Sequence, residues 1–426
     1  MAKRLRLKLP RIKVVSDDDT ILATRSVIQE QMRTNPVLTF YMILVSTLLL
    51  TGVGLVMVFS ASSIGDLARQ DNPFVSFIKP FSYAIMGLLL MWLATKARPQ
   101  LYFNPKVSAA ALVGAIAFQT LVLPFGQNIG GNQNWIAIPG IGTVQPSEFL
   151  KVALIVHLSA LLGHRIVDLT DWSSIARYLA WPTVGSLGAI MLGGDFGTTV
   201  VVAGIIAAVV FIGGLPGSKL AALLVAGVFG AALAAMSSSS RRARIRAFFP
   251  GAPKDEQGID LQPLRAKYGL GTGGLTGVGP GASRQKWNYL PQAESDFIFA
   301  ILGEEFGLVG TLSVIILYVI LGWSLYRLAR RARSNSIRIA ASSTMAWIGL
   351  QALVNIWVVV GLIPVLGVPL PFISAGGSAL VACLIAMGIM LSCARAEPGA
   401  NKVLTAREAS IKRTIAVVGS RRKAKK

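Results

Sequence analysis

Ten apolar runs, each near the length needed to cross a bilayer, constrain this chain more than any single residue does. They fall at 37–59, 77–94, 107–123, 149–162, 175–192, 198–212, 220–236, 297–326, 339–363 and 378–392. A helix rises about 1.5 Å per residue and the hydrocarbon core is about 30 Å thick, so about 20 apolar residues make one crossing. Only 14% of the 426 residues are charged and 53% are hydrophobic, which excludes an ordinary soluble domain. Backbone groups in lipid must be satisfied within their own segment, so the expected fold is all-α. It is a polytopic transmembrane bundle of about ten helices. The fourth, sixth and last runs are short and are expected to draw flanking Gly and Ser residues into their helices.

Charge sets the expected orientation. Lys and Arg crowd 1–36, then Lys96, Arg98 and Lys106, then Arg165 and Arg177, then Lys219, then Arg327, Arg330, Arg331, Arg333 and Arg338. The short loops between them, 126–144, 193–197 and 364–377, carry none. The positive-inside rule therefore places both termini in the cytoplasm. It divides the chain into a basic N-terminal segment, 1–36, a membrane domain, 37–394, and a basic cytoplasmic tail, 395–426. A large extracytoplasmic loop, 237–295, joins helices seven and eight, and its arginines do not overrule the short loops because long loops are weak determinants. The first run is longer than a signal-peptide core, so it reads as an anchored helix. The net charge of +22 is explained by anionic lipid headgroups; no basic folded module supports nucleic-acid binding. Cys383 and Cys393 fall about 15 Å apart on one helix and cannot pair within it.

Chemistry is concentrated in a few polar stretches on the outer side. Asp296 stands where a glycine-rich segment, with Gly269, Gly271, Gly273, Gly274, Gly277, Gly279 and Gly281, enters the eighth apolar run. A carboxylate at such a boundary is costly to keep charged and reads as functional; the structural alternative is a helix N-cap. Glu148 and Lys151 are spaced i, i+3 and can meet on one helix face, as a buried ion pair or as the wall of a polar cavity. Ser147 would cap the helix that begins near Pro146. Asp195, among glycines, reads as the cap of helix six. The glycine-rich segment could wrap phosphate oxygens with its N–H groups, assisted by Arg284 and Lys286, although flexibility is the commoner meaning of such composition. The proline-rich turn 364–378 offers no acid or base. Its Gly376 and Gly377 permit close backbone approach, and its expected role is to shape the cavity around Asp296. No cluster of ligand residues demands a metal.

The strings NWIAIPGIGTVQPSEFLKVAL, GGDFGTTVVV, GLGTGGLTGVGPGASRQKWNYLPQAESDFIFAILGEEFGLVG and GVPLPFISAGGSAL resemble, in order, the signature segments of the FtsW/RodA/SpoVE family, the SEDS glycosyltransferases of bacterial cell-wall synthesis. The GEE triplet at Gly303 and the asparagine-rich 131–135 segment resemble the division member of actinobacteria more than the elongation member. The resemblance implies a peptidoglycan polymerase in the bacterial cytoplasmic membrane, with its active site facing outside. It would join lipid II to a glycan strand held on undecaprenyl pyrophosphate, with Asp296 as general base. Lys151, Arg246, Arg284 and Lys286 are the candidate cations for the leaving pyrophosphate, in no fixed order, and a divalent cation, Mg or Mn, could share that task. Glu148, Ser147 and Trp135 are further candidate substrate contacts. The implied partners are a class B penicillin-binding protein transpeptidase and divisome regulators.

Two departures limit the carry-over. Glu294 and Ser295 stand where many relatives have His-Thr or His-Asn before the Asp, and Asn134 stands where many have Arg before the Trp. Two other function classes fit a polar path through such a bundle: a lipid II flippase, and a scaffold that recruits a transpeptidase. The polymerase is favoured because the polar motifs gather on one side, whereas a carrier needs comparable accommodation on both.

Overall fold

The computed structural model describes residues 35–70, 72, 74–129, 132–140, 142–248, 261–287 and 289–406. Most of the basic N-terminal segment and the end of the tail, expected in the cytoplasm, lie outside the described residues.

The order of elements is α1 (Leu38–Gln70), α2 (Val75–Lys96), α3 (Pro99–Tyr102), α4 (Pro105–Thr120), α5 (Val122–Phe125), β1 (Gly126–Ile129), β2 (Asn132–Ile138), β3 (Gly142–Val144), α6 (Pro146–Gly163), α7 (Trp172–Leu192) and α8 (Phe196–Ile212). The chain continues through α9 (Gly217–Met236), α10 (Ser239–Phe248), α11 (Leu261–Gly273), α12 (Ile298–Arg331), α13 (Asn335–Val360) and α14 (Gly377–Arg395). Each of the ten apolar runs coincides with one of these helices. Eight are long and apolar enough to cross a membrane; α8 is apolar but shorter, at 17 residues, and α7 begins on polar turns with Ser173, Ser174 and Arg177. The chain is a multi-pass membrane protein.

α14 is buried along nearly its whole length, and small residues let α2 approach it. A Cβ at Gly388 would lie 2.5 Å from the Met91 carbonyl, and one at Gly377 would lie 2.1 Å from the Tyr83 ring. Helices in lipid gain from such backbone proximity because there is no hydrophobic drive between them. The close approach expected of Gly377 is thus to Tyr83, whose hydroxyl donates to the Thr143 carbonyl at 3.0 Å.

Three features depart from the sequence expectation. The loop between α5 and α6 is not irregular: β1, β2 and β3 form an antiparallel sheet in that order, with Gln127 opposite Trp135 and Ile136 opposite Val144. Left-handed Gly140 and Gly142 turn β2 into β3, and outside the hydrocarbon the sheet edge can meet water. The stretch 237–295 is not an open loop, since it contains α10 and α11.

The eighth run is not one crossing. Gly307, at φ 64° and ψ −158°, interrupts α12. Residues 308–331, on the C-terminal side of the break, are long enough for a full crossing at about 36 Å. The N-terminal side is a short half-helix whose residues 298–305 are all buried, a signature of a segment enclosed by protein. The glycine-rich segment satisfies the backbone groups freed by the break. Val278 N donates to Glu304 O at 2.9 Å, Gly279 N to Glu305 O at 3.1 Å and Leu308 N to Gly274 O at 3.0 Å. No side chain fits at Gly307: a Cβ there would lie 2.4 Å from Gly277 N and 2.5 Å from Leu275 O.

The expected orientation has a direct check. Cysteine placed at exposed Ser237, at the end of α9, should react with an impermeant maleimide on intact cells, and cysteine at exposed Ser334, between α12 and α13, should react only after lysis. The reverse pattern would turn the candidate site inward and remove the case for surface chemistry.

Candidate active site

Asp296 is half-buried just before the half-helix of α12. The N-cap position belongs to Phe297, so Asp296 stands one residue before the cap position and not in it. The segment around it is pinned from two sides. Asn355 of α13 donates through Nδ2 to the Asp296 carbonyl and to the Val368 carbonyl, both at 2.8 Å. Ser374 Oγ donates to the Ser295 carbonyl at 2.6 Å, and Ala375 N donates to the Glu294 carbonyl at 2.9 Å. The proline-rich turn therefore packs directly on the Asp296 segment. At its tip Gly367 is left-handed, and a Cβ there would lie in ordinary contact, 3.7 Å, with Asp296 Oδ2, so the turn borders the carboxylate. Gln292 (φ 58°) and Phe372 (φ 65°) also adopt left-handed backbone, one in each of the two segments that meet here. Such strain persists where the surroundings fix it, and it gathers at functional sites.

Asn355 was not singled out by the sequence, nor was Gln351 one turn earlier on the same face. Gln351 Oε1 accepts from Lys151 Nζ at 3.1 Å and from Trp347 Nε1 at 2.8 Å, while its Nε2 donates to the Pro369 carbonyl at 3.0 Å. Lys151 is ion-paired with Glu148 at 2.8 Å, both side chains being almost wholly buried, and its ammonium lies over the Trp347 ring at 5.4 Å. Glu148 and Lys151 thus meet as their spacing predicts, and the pair joins the Asp296 scaffold through Gln351 and the proline-rich turn. Two amides at i, i+4 inside an apolar run were the available signal, because a buried amide needs partners.

Ser147 is not the cap of α6. The N-cap position is Gln145, Pro146 takes the first helical position, and Ser147 Oγ is buried without a hydrogen-bond partner among the described residues. Gln145 instead donates through Nε2 to Asp195 Oδ2 at 2.8 Å, as does Asn134 Nδ2 at 2.8 Å. The other Asp195 oxygen accepts from Thr198 N at 3.0 Å, so Asp195 caps α8 and also ties the sheet to α6. Asn134 and Ile136 are buried in β2, and strand alternation turns half-buried Trp135 to the opposite face.

Lys286 lies 2.9 Å from Glu305 and 3.1 Å from Ser60 Oγ, with its side chain and that of Glu305 1% and 0% exposed. It is neutralised inside the protein and is not available to a pyrophosphate in this arrangement. Neighbouring Glu304 accepts from Ser283 Oγ, from Arg284 N at 3.1 Å, from Gln285 N at 3.3 Å and from Thr272 Oγ1 at 3.3 Å. The glycine-rich segment is therefore folded onto two buried glutamates rather than presented as a flexible phosphate cradle. The side chains of Arg284 and Arg246 are exposed. Among the described residues no three His, Cys, Asp or Glu side chains converge where a metal ion would sit.

The chain as a whole is similar to known proteins. The chain is 33% identical over 371 residues to the "Probable peptidoglycan glycosyltransferase FtsW" of Mycobacterium tuberculosis, covering 87% of this chain and 70% of that one. Its fold matches the crystal structure of the rod shape determining protein RodA of Thermus thermophilus with a TM-score of 0.61 at 25% identity, over 84% of this chain and 96% of that one. A chain from a structure titled "Structural coordination of polymerization and crosslinking by a peptidoglycan synthase complex" matches with a TM-score of 0.63 at 25% identity, over 81% and 97%. With the family profile described as "Cell cycle protein" matching residues 40–398, a stretch that holds Asp296, both buried ion pairs and the proline-rich turn, the chain belongs to the FtsW/RodA/SpoVE family.

Proposed function

We propose that this protein is a peptidoglycan glycosyltransferase that polymerises lipid II at the outer face of the bacterial cytoplasmic membrane, in cell division. The observation that carries the reading is Asp296 itself: a half-buried carboxylate, one residue before the N-cap position of the half-helix, on a backbone held by Asn355, Ser374 and Ala375. In the reaction, the 4-hydroxyl oxygen of the acceptor GlcNAc attacks the anomeric carbon of the donor MurNAc. The bond from that carbon to undecaprenyl pyrophosphate breaks, the leaving group keeps the electron pair, and the hydroxyl proton passes to the Asp296 carboxylate. An alcohol is a poor acid, so an oriented base is the group the step needs. The pinned backbone supplies orientation, which is where most of the gain from placing a base arises.

Relatives named FtsW support the division role, and the likeness to a chain of a polymerising and crosslinking complex supports a transpeptidase of the class B penicillin-binding type as partner, with divisome regulators acting on the pair. The test is incubation of the purified protein with purified lipid II, alone and with that transpeptidase, and separation of the products on a gel. A ladder of glycan strands is expected. Lipid II that crosses vesicle membranes but is never polymerised would make the protein a flippase instead.

A further inference from the structure

We propose that residues 397–404 are a latch at the end of the bundle opposite the candidate site, the end expected in the cytoplasm, and that this latch sets how firmly the Asp296 segment is held. The coupling itself is a matter of packing, and only its consequence for glycan synthesis rests on the polymerase function. Beyond α14 the chain passes left-handed Gly399, where a Cβ would lie 3.5 Å from Pro36 Cβ, and residues 400–406 are helical. Buried Ala400 and Leu404, one turn apart, close a small apolar cluster with Val37 and with Phe40 and Tyr41 of α1. Glu397 pairs at 2.6 Å with Arg331, the last residue of α12, and the Glu397 side chain is 1% exposed. One turn earlier on α12, Arg327 donates through Nε to Thr39 Oγ1 at 3.2 Å and through Nη2 to the Asn35 carbonyl at 3.3 Å. The start of α1 and the end of α12 are therefore tied to each other, and 397–404 clasps both.

The same two helices meet again at the candidate site. Ser60 lies about 32 Å beyond Thr39 along α1 and donates to Glu305, the partner of Lys286. Between these ends α1 presses on the proline-rich turn: a Cβ at Gly54 would lie 2.4 Å from the Phe372 carbonyl and 2.7 Å from Ile373 Cα. α12 reaches that turn from its own side, where the Tyr318 hydroxyl donates to the Pro371 carbonyl. The turn in its own right holds the Asp296 segment through Ser374 and Ala375. With no room for a side chain at Gly54, a slide or roll of α1 against α12 displaces Phe372 and pulls Ser60 from Glu305. A close-packed interior passes such a displacement on through its contacts. The clasp at the far end opposes that movement.

The competing role is a local anchor that keeps the chain end on the bundle and affects nothing beyond it. Hydrogen exchange of the full chain in lipid nanodiscs, read by mass spectrometry, separates the two. Leu404→Asp breaks the apolar clasp without touching α12, and Arg331→Gln strands the buried Glu397 carboxylate. Both variants should free 397–406 and speed exchange at 298–306 and 367–376 at least about tenfold, a coupling of ordinary size. α7, which packs on α4, α6 and α8, should keep its wild-type rate, and Arg331→Lys, which keeps the charge, should exchange like wild type at the two outer segments. Unchanged exchange at 298–306 and 367–376 in a variant whose 397–406 segment exchanges freely overturns the proposal. So does a rise that strikes α7 equally, which is general loosening, and so does a segment 397–406 that stays protected in both variants, because the named contacts would then not be what holds it. No substrate enters the measurement, so a protein that couples as expected yet makes no glycan refutes the polymerase and leaves the latch standing.

Discussion

Asp296→Asn is expected to lower polymerisation of lipid II by about 10²- to 10⁴-fold, the usual worth of a lost general base, with expression and melting temperature near wild type. The substitution keeps the shape of the side chain and removes its ability to take a proton. The cap position of the helix behind it is Phe297, not Asp296, and Asn caps about as well as Asp in any case. Nor does it touch the bonds that hold the segment, because Asn355 and Ser374 grip main-chain carbonyls. Asp296→Leu should therefore be as inactive as Asp296→Asn and nearly as stable. A structural aspartate predicts the opposite order, with Asn tolerated and Leu damaging. Full activity of Asp296→Asn, read as glycan chains on a gel, would sink the proposed mechanism.

How much of the molecule could be read from its sequence depends on which forces act locally. The ten apolar helices were legible because lipid imposes a length and a composition on its spans, and the Glu148–Lys151 pair because i, i+3 spacing suffices to bring two charges together. The break at Gly307 was not, since glycine is common in spans and 297–306 is as apolar as a true crossing apart from Glu304 and Glu305. Its cause lies about 30 residues earlier, in the glycine-rich segment that satisfies the opened backbone. That segment resembled a phosphate cradle for the same reason. Close packing and close approach of a ligand both ask for residues without a Cβ, and only the positions of Glu304 and Gly307 against Gly273 and Gly277 decide between them. Asp195 reads as a cap from its turn, but its second oxygen is spent on Asn134 and Gln145, partners 61 and 50 residues away.

Lys286 tests the same distinction with a second large effect. Its sequence, beside Arg284 in a glycine-rich segment, suggests a cation for substrate; its place in the fold is opposite Glu305, with two more contacts from Ser60 Oγ to the Glu305 oxygens at 2.7 Å and 2.9 Å. Removing one member of a buried pair strands the other charge away from water, at a cost of about 3 to 5 kcal/mol. Glu305→Gln is therefore expected to melt far below wild type in detergent, and Lys286→Met likewise. Replacing both together, Glu305→Gln with Lys286→Met, leaves no orphan charge and should recover most of the lost stability, because buried pairs exchanged for neutral groups are often close to neutral. The recovered double variant then answers the functional question. If Lys286 only holds the glycine-rich segment on the half-helix, the double variant polymerises lipid II well above the level of Asp296→Asn. A stable double variant as inactive as Asp296→Asn would return Lys286 to the substrate, and a Glu305→Gln protein that melts with wild type would mean that the pair does not hold the half-helix in place.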